Sequence, residues 1–307
     1  MGSVTTTAPA SVMGQIEFFN GTNDGEAAYL DPVGGKHNFR DKKIMKVQMH
    51  DMRAQEPKPT LQEVGYEFLT APTSMSEDEF MNDKTPKGKA HIQEKYWKEV
   101  GALVKERSGA DQVIPWHFSV RKQALGQHPD DVFFKRTGVS QPASTVHIDN
   151  NHDSAMHHLT RVLGGEEAAR QMVDQYEHWC IINTWRPVGA PVQRWPLFLV
   201  DHREVPGHFS YEKNVERIYR LNDPAYYKSH DNFLLHDPNY RFRYVSNLAP
   251  EEALLFRDFD SRSRPGETFY GTPHGAFQSD ATPEDAPARR SIEVRSFAFF
   301  GKKEKTM

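Results

Sequence analysis

The chain has 307 residues, a formal net charge of −4 and a single cysteine, Cys180. Charges of both signs are interspersed with no basic stripe, which argues against a nucleic-acid partner, and no apolar run is long enough for a membrane-spanning helix. One cysteine forms no disulfide within the chain and fits a reducing, cytoplasmic setting; in the apolar run Trp179-Cys180-Ile181-Ile182 it reads as a buried structural thiol.

In chain order, residues 1–13 are rich in Thr, Ala, Ser and Pro and are expected to form a disordered tail; residues 14–307 are expected to form one domain. Residues 15–19 and 43–49 read as strands. Thr60, with Glu63 three positions on, signals a helix start over 60–69. Residues 91–107 carry Tyr96, Trp97, Val100, Leu103 and Val104 at helical spacing, stopped by Gly109, which predicts a helix whose aromatic stripe packs into a core. Residues 113–121 alternate as a strand, and a second helix is expected over 166–176. His152, His157 and His158 are read as loop residues. Beyond them, short β-prone runs at 179–185, 197–200, 242–245, 253–258, 268–270 and 292–300 alternate with Pro, Gly, Asn and Asp. Several short strands split by turn residues predict a mainly β fold with flanking helices, a double-stranded β-helix or jelly roll of the cupin type.

The chemistry concentrates in three places. In His147-Ile148-Asp149 the two polar residues, on an extended strand, point to one face while Ile148 packs the other way. His274, in Thr272-Pro273-His274-Gly275-Ala276, supplies a further imidazole among small neighbours. Two histidines and a carboxylate can hold one face of an iron(II) ion and leave the rest open. Arg289-Arg290-Ser291 follows at the start of a strand; a guanidinium fork with a hydroxyl beside it can grip the far carboxylate of a 2-oxo acid. His236, in the turn His236-Asp237-Pro238-Asn239, is not expected to be a ligand.

The blocks Thr145-Val146-His147-Ile148-Asp149, Ile181-Ile182-Asn183-Thr184-Trp185-Arg186-Pro187, Leu254-Leu255-Phe256-Arg257-Asp258-Phe259-Asp260-Ser261, Thr272-Pro273-His274-Gly275-Ala276-Phe277 and Ser291-Ile292-Glu293-Val294-Arg295 resemble, in this order, those of the fungal gibberellin-desaturase/aspergillic-acid-hydroxylase family. These are non-haem iron(II)/2-oxoglutarate-dependent oxygenases of secondary metabolism. The resemblance implies His147, Asp149 and His274 as iron ligands and Arg289 with Ser291 as the 2-oxoglutarate anchor. Arg186 and Arg295 sit in family-like blocks, and each is either a second anion contact or a salt bridge within the sheet. We take Arg295 toward the cosubstrate and Arg186, with the Tyr244 hydroxyl, toward the substrate; a core position is the competing reading of Tyr244. The chain departs from the family wording at Asn150-Asn151-His152-Asp153 and at Gly275, where Thr or Ser is common.

Implied cofactors are iron(II), 2-oxoglutarate and dioxygen. The implied reaction is C–H abstraction on a small metabolite, one that carries a carboxylate if the spare arginines are its clamps. Its outcome is hydroxylation, desaturation or ring closure, with release of succinate and CO2. The rivals are a zinc hydrolase at the same ligands, for which Arg289 would have no role, and a non-catalytic jelly-roll binding protein.

Overall fold

Parity along one strand explains most of the architecture. In the run from Trp179 to Arg186, odd-numbered side chains face one way and even-numbered ones the other. Trp185 packs between two sheets, and Trp179 and Ile181, on the same face, pack beneath two helices. Cys180 and Ile182 pack outward against a long helix. A strand buried on both faces has this near-continuous apolar character.

A computed structural model of the protein describes residues 10–31, 35–123, 142–221, 230–264, 267 and 269–304. Its strands are β1 (Ser11–Phe18), β2 (Tyr29–Asp31), β3 (Lys36–His37), β4 (Lys43–Asp51), β5 (Tyr66–Thr70), β6 (Gln112–Lys122), β7 (His147–Ile148), β8 (Tyr176–Pro187), β9 (Leu197–Asp201), β10 (Val215–Arg220), β11 (His230–Leu234), β12 (Arg241–Tyr244), β13 (Glu252–Asp260), β14 (His274–Ala276), β15 (Gln278–Ser279) and β16 (Arg290–Lys302). Its helices are α1 (Leu61–Val64), α2 (Glu77–Met81), α3 (Pro86–Ser108), α4 (His152–Leu163), α5 (Glu166–Asp174) and α6 (Tyr211–Asn214).

The smaller sheet has the order β5-β13-β8-β16-β6; the larger contains β12-β9-β14-β7 at its centre, extended on both sides. The strands β6, β7, β8, β9, β12, β13, β14 and β16 shuttle between the two sheets in the order of a double-stranded β-helix. Between the sheets lie Trp185, Leu199, Leu254 and Phe256; toward the other end of the smaller sheet, Trp179, Phe297 and Phe299 pack with Ala155 and Leu159 of α4 and Ala169 of α5. Outside the smaller sheet, α3 packs Tyr96, Val100 and Val104 on Ile182, Ile292 and Val294. On the far face of the larger sheet, Phe18, Phe198, Phe242, Tyr244 and Phe277 form another cluster. No helix among the described residues is long and apolar enough to cross a membrane.

Several expectations need correction. Residues 11–13 are the start of β1, paired with β4, rather than tail; residues 1–9 lie outside the described residues. Thr60 does cap a helix by accepting from the Glu63 amide, but Gly65, at φ 83°, ends it after one turn and the chain becomes β5. The strand expected over 268–270 includes residue 268, which lies outside the described residues; 269 and 270 are irregular. The segment holding His152, His157 and His158 is a helix, α4, opened by the reciprocal Asn151–Ser154 cap and closed by Gly164 in the left-handed region.

Candidate active site

β7 is two residues long, yet it sets the geometry of the site. His147 lies directly opposite His274 of β14, and opposed residues of an antiparallel pair share a face. Asp149, two positions past His147, returns to that face, while Ile148 packs into the apolar cluster on the other side. Ligand atoms of His147, Asp149 and His274 lie within 4.8 Å of one another. Nε2 of His147 is 3.6 Å from Oδ1 of Asp149, and Nε2 of His274 is 3.6 Å from Oδ2.

The surroundings orient all three groups. Nδ1 of His147 is 2.8 Å from the Thr145 carbonyl, and Nδ1 of His274 is 3.2 Å from the Thr272 carbonyl. A carbonyl only accepts, so each Nδ1 carries the proton and each Nε2 is turned toward Asp149. Asp149 accepts from Arg295 Nη2 at 2.8 Å on Oδ1 and from Asn183 Nδ2 at 2.9 Å on Oδ2. Burial opposes its ionisation, but Arg295 and the two imidazoles hold the carboxyl well below the usual carboxylate range. Burial, aided by His274, lowers His147 to about 4. For His274 burial acts the same way but is outweighed by the Asp149 carboxylate, which raises it. A charged carboxylate beside imidazoles with fixed Nδ1–H groups is the donor set a divalent iron accepts.

The second half of the site lies along β16 and β8. Arg289 is 3% exposed, donates to the Trp195 carbonyl, approaches Ser291 Oγ at 3.4 Å and lies 5.1 Å over the Trp185 ring. No carboxylate of the described residues is within ion-pair distance of it, and burial pulls its pKa far below the ordinary guanidinium value. Trp185 is two residues from Asn183 on the same face of β8, so the guanidinium and the His–Asp–His cluster share one interior. A desolvated cation lacking a counter-charge is costly on its own and fits an anionic ligand.

Not every expected residue is brought here. Arg186 stands three positions from Asn183 and faces the other way. It donates to Tyr96 Oη at 3.0 Å and to the Pro250 carbonyl at 2.7 Å, under α3. Tyr244 packs against Phe277, ring centroids 5.3 Å apart, on the far face of the larger sheet. Its position opposite Phe198, one residue out of phase with the inward-facing Leu199, sends it there. Arg295 is in the site but is bound to Asp149 and, at 3.1 Å, to Glu293. His236 lies against Phe18 and near Lys43, away from the cluster.

Two residues were missed by sequence reasoning. Asn183 was available from parity, being the one polar residue on the inward face of an apolar run. Asp258, fully buried on β13, accepts from the Asp149 amide at 2.9 Å and from Asn150 Nδ2 at 2.7 Å, and so holds the turn that follows the motif. Burial, with the Asp149 charge nearby, pushes it up to about 7. Nothing in the sequence linked it to a segment more than 100 residues earlier. Asp258→Ala leaves two buried donors unmet, so urea denaturation is expected to show a loss of about 2–4 kcal/mol; a loss below about 0.5 kcal/mol, the range of neutral surface changes, would mean that the turn holds itself. Gly275 has a local reason: an added Cβ would stand 3.1 Å from the Phe198 ring.

Known proteins resemble this chain over most of its length. A family described as "Oxidoreductase/YMDC permease-like domain" matches residues 16–299. Oxidoreductase R1 from Phoma sp. is 34% identical over 307 residues, covering 97% of this chain and 100% of its own. The Fe(II)/2-oxoglutarate-dependent dioxygenase nvfI from Aspergillus novofumigatus is 30% identical over 265 residues, covering 84% of each. A solved structure of the iron and alpha-ketoglutarate-dependent endoperoxidase NvfI superposes with a TM-score of 0.74 at 26% identity, over 96% of this chain and 100% of that one.

Proposed function

Because this chain belongs to the iron(II)- and 2-oxoglutarate-dependent oxygenases of fungal secondary metabolism, we propose that His147, Asp149 and His274 hold the iron and that Arg289 with Ser291 holds the C5 carboxylate of 2-oxoglutarate. Bound iron supplies the oxidative chemistry, in which decarboxylation of the cosubstrate to succinate and CO2 is coupled to attack on an unactivated C–H bond of a small-molecule substrate. The chain supplies position and shelter. The carbonyls of Thr145 and Thr272 keep both Nε2 lone pairs aimed inward. Arg295 and Asn183 each take one lone pair of Asp149 and leave others for the metal. Phe256, 4.6 Å from the His274 ring, and Trp185, under Arg289, line the interior with apolar surface that excludes water.

The observation that carries this reading is Arg289: a buried cation with no carboxylate of the described residues at ion-pair distance, on the interior face that also bears the His–Asp–His cluster. A zinc hydrolase gives that cation no task. The carboxylate expected on the substrate loses its support, since Arg186 and Tyr244 face away and Arg295 is already paired. The test is anaerobic addition of iron(II) and then 2-oxoglutarate to the purified protein. A weak visible charge-transfer band that needs both components is expected; no band, with both ligands shown to be bound, would remove the proposed cosubstrate site.

A further inference from the structure

β6 runs beside β16, and its inward residues repeat the polarity of that strand: His117 stands opposite Arg295, Ser119 opposite Glu293 and Arg121 opposite Ser291. Opposed residues share a face, so His117 is level with the Arg295–Asp149 pair and looks into the same interior. A bulge after Arg295 then sets Trp116 against Phe297, stacked with centroids 5.2 Å apart. His158, from α4, stacks on the same indole at 4.7 Å. The result is an aromatic wall, Trp116–His158, backed by the fully buried Phe297 and with His117 at its foot. It stands at the end of β16 away from Arg289, so a cosubstrate running from Arg289 to the triad leaves it uncovered.

Both imidazoles there are unspent. His117 and His158 are partly exposed, and neither has a hydrogen-bond partner among the described residues. Burial lowers His117 to about 4 and His158 to about 3, with Arg295 adding to each. Both are therefore neutral near pH 7, each with one N–H and one lone pair to offer. Sites with aromatic walls and few convergent polar groups fit small apolar ligands that carry a polar handle.

We propose that His117 and His158 are the substrate-recognising pair, binding an uncharged carbonyl or hydroxyl oxygen on an apolar carbon frame that lies against the Trp116 wall. The proposal rests on the oxygenase reading, in which 2-oxoglutarate fills the Arg289 end. An uncharged handle suits neutral imidazoles, whereas a carboxylate finds Arg295, the cation on the facing strand, already paired with Asp149 and Glu293.

Three matched probes separate these cases: tetralone, its oxygen-free parent tetralin, and the corresponding tetralin carboxylate. Their binding to the iron(II)- and 2-oxoglutarate-loaded enzyme is measured anaerobically by calorimetry. Tetralone is expected to bind about tenfold tighter than tetralin, the worth of one net hydrogen bond, and tighter than the carboxylate. In the His117→Phe/His158→Phe variant that preference is expected to fall to about unity, while tetralin binding and the 2-oxoglutarate band persist. If the double variant fails to fold, His117→Leu and His158→Leu replace it, and at least one should lose most of the preference. No measurable tetralone binding, a stronger carboxylate, or an unchanged preference in the variants would each overturn the proposal. A missing band in the unmodified protein would instead sink the oxygenase reading, whichever way the calorimetry falls.

Discussion

His274→Ala is expected to fold and to lose iron affinity by more than about 100-fold, since even outer-shell substitutions at metal sites cost 10–100-fold. The residue is fully enclosed, opposite His147 and beside Phe256, so no solvent-borne donor can take its place. Circular dichroism would establish the fold and chelator competition the affinity. A folded variant that keeps iron at the original strength would take His274 out of the ligand set. His236 would not inherit the role, because it is anchored at Phe18 and Lys43.

Arg289→Leu is expected to weaken 2-oxoglutarate binding by roughly 30- to 5000-fold while iron binding survives, corresponding to about 2–5 kcal/mol for truncating one partner of a buried hydrogen-bonded charge pair. The same substitution removes a desolvated charge that has no ion-pair partner among the described residues, so the variant without cosubstrate should be no less stable than the parent. The parent should in turn gain about 2.7 kcal/mol at a 2-oxoglutarate concentration 100 times its dissociation constant, a gain the variant lacks. Thermal unfolding with and without cosubstrate reads both effects. Equal stabilisation of parent and variant would transfer the carboxylate to another cation, with Arg121, opposite Ser291, the nearest alternative on that face.

How much of this was legible depended on whether a residue's neighbours in sequence are also its neighbours in space. That His147 and Asp149 face the same way was readable because a strand repeats every two residues. The parity rule, applied one block earlier, would have separated Asn183 and Trp185, which face inward, from Arg186, which faces α3. Attention to the family-like block instead of the facing direction sent Arg186 to the wrong side. Tyr244 was misjudged in a different way: its direction follows from its register with Phe198, a tertiary fact. α4 had its signals in view, Asn151 with Ser154 at the start and Gly164 at the stop, but its histidines read as loop residues. Reading it as a helix would have directed His158 toward β6. Asp258 was beyond reach, since its partners lie 108 and 109 positions away.

Iron-dependent decarboxylation of 2-oxoglutarate is the activity on which everything above depends. The purified protein is given iron(II), dioxygen and 2-oxoglutarate labelled at its C1 carboxylate, and labelled CO2 is counted against succinate. Equal amounts of both, dependent on iron and abolished in His274→Ala, are the predicted result. Absence of labelled CO2 from protein that demonstrably binds iron and 2-oxoglutarate, or release that persists unchanged in His274→Ala, would contradict it.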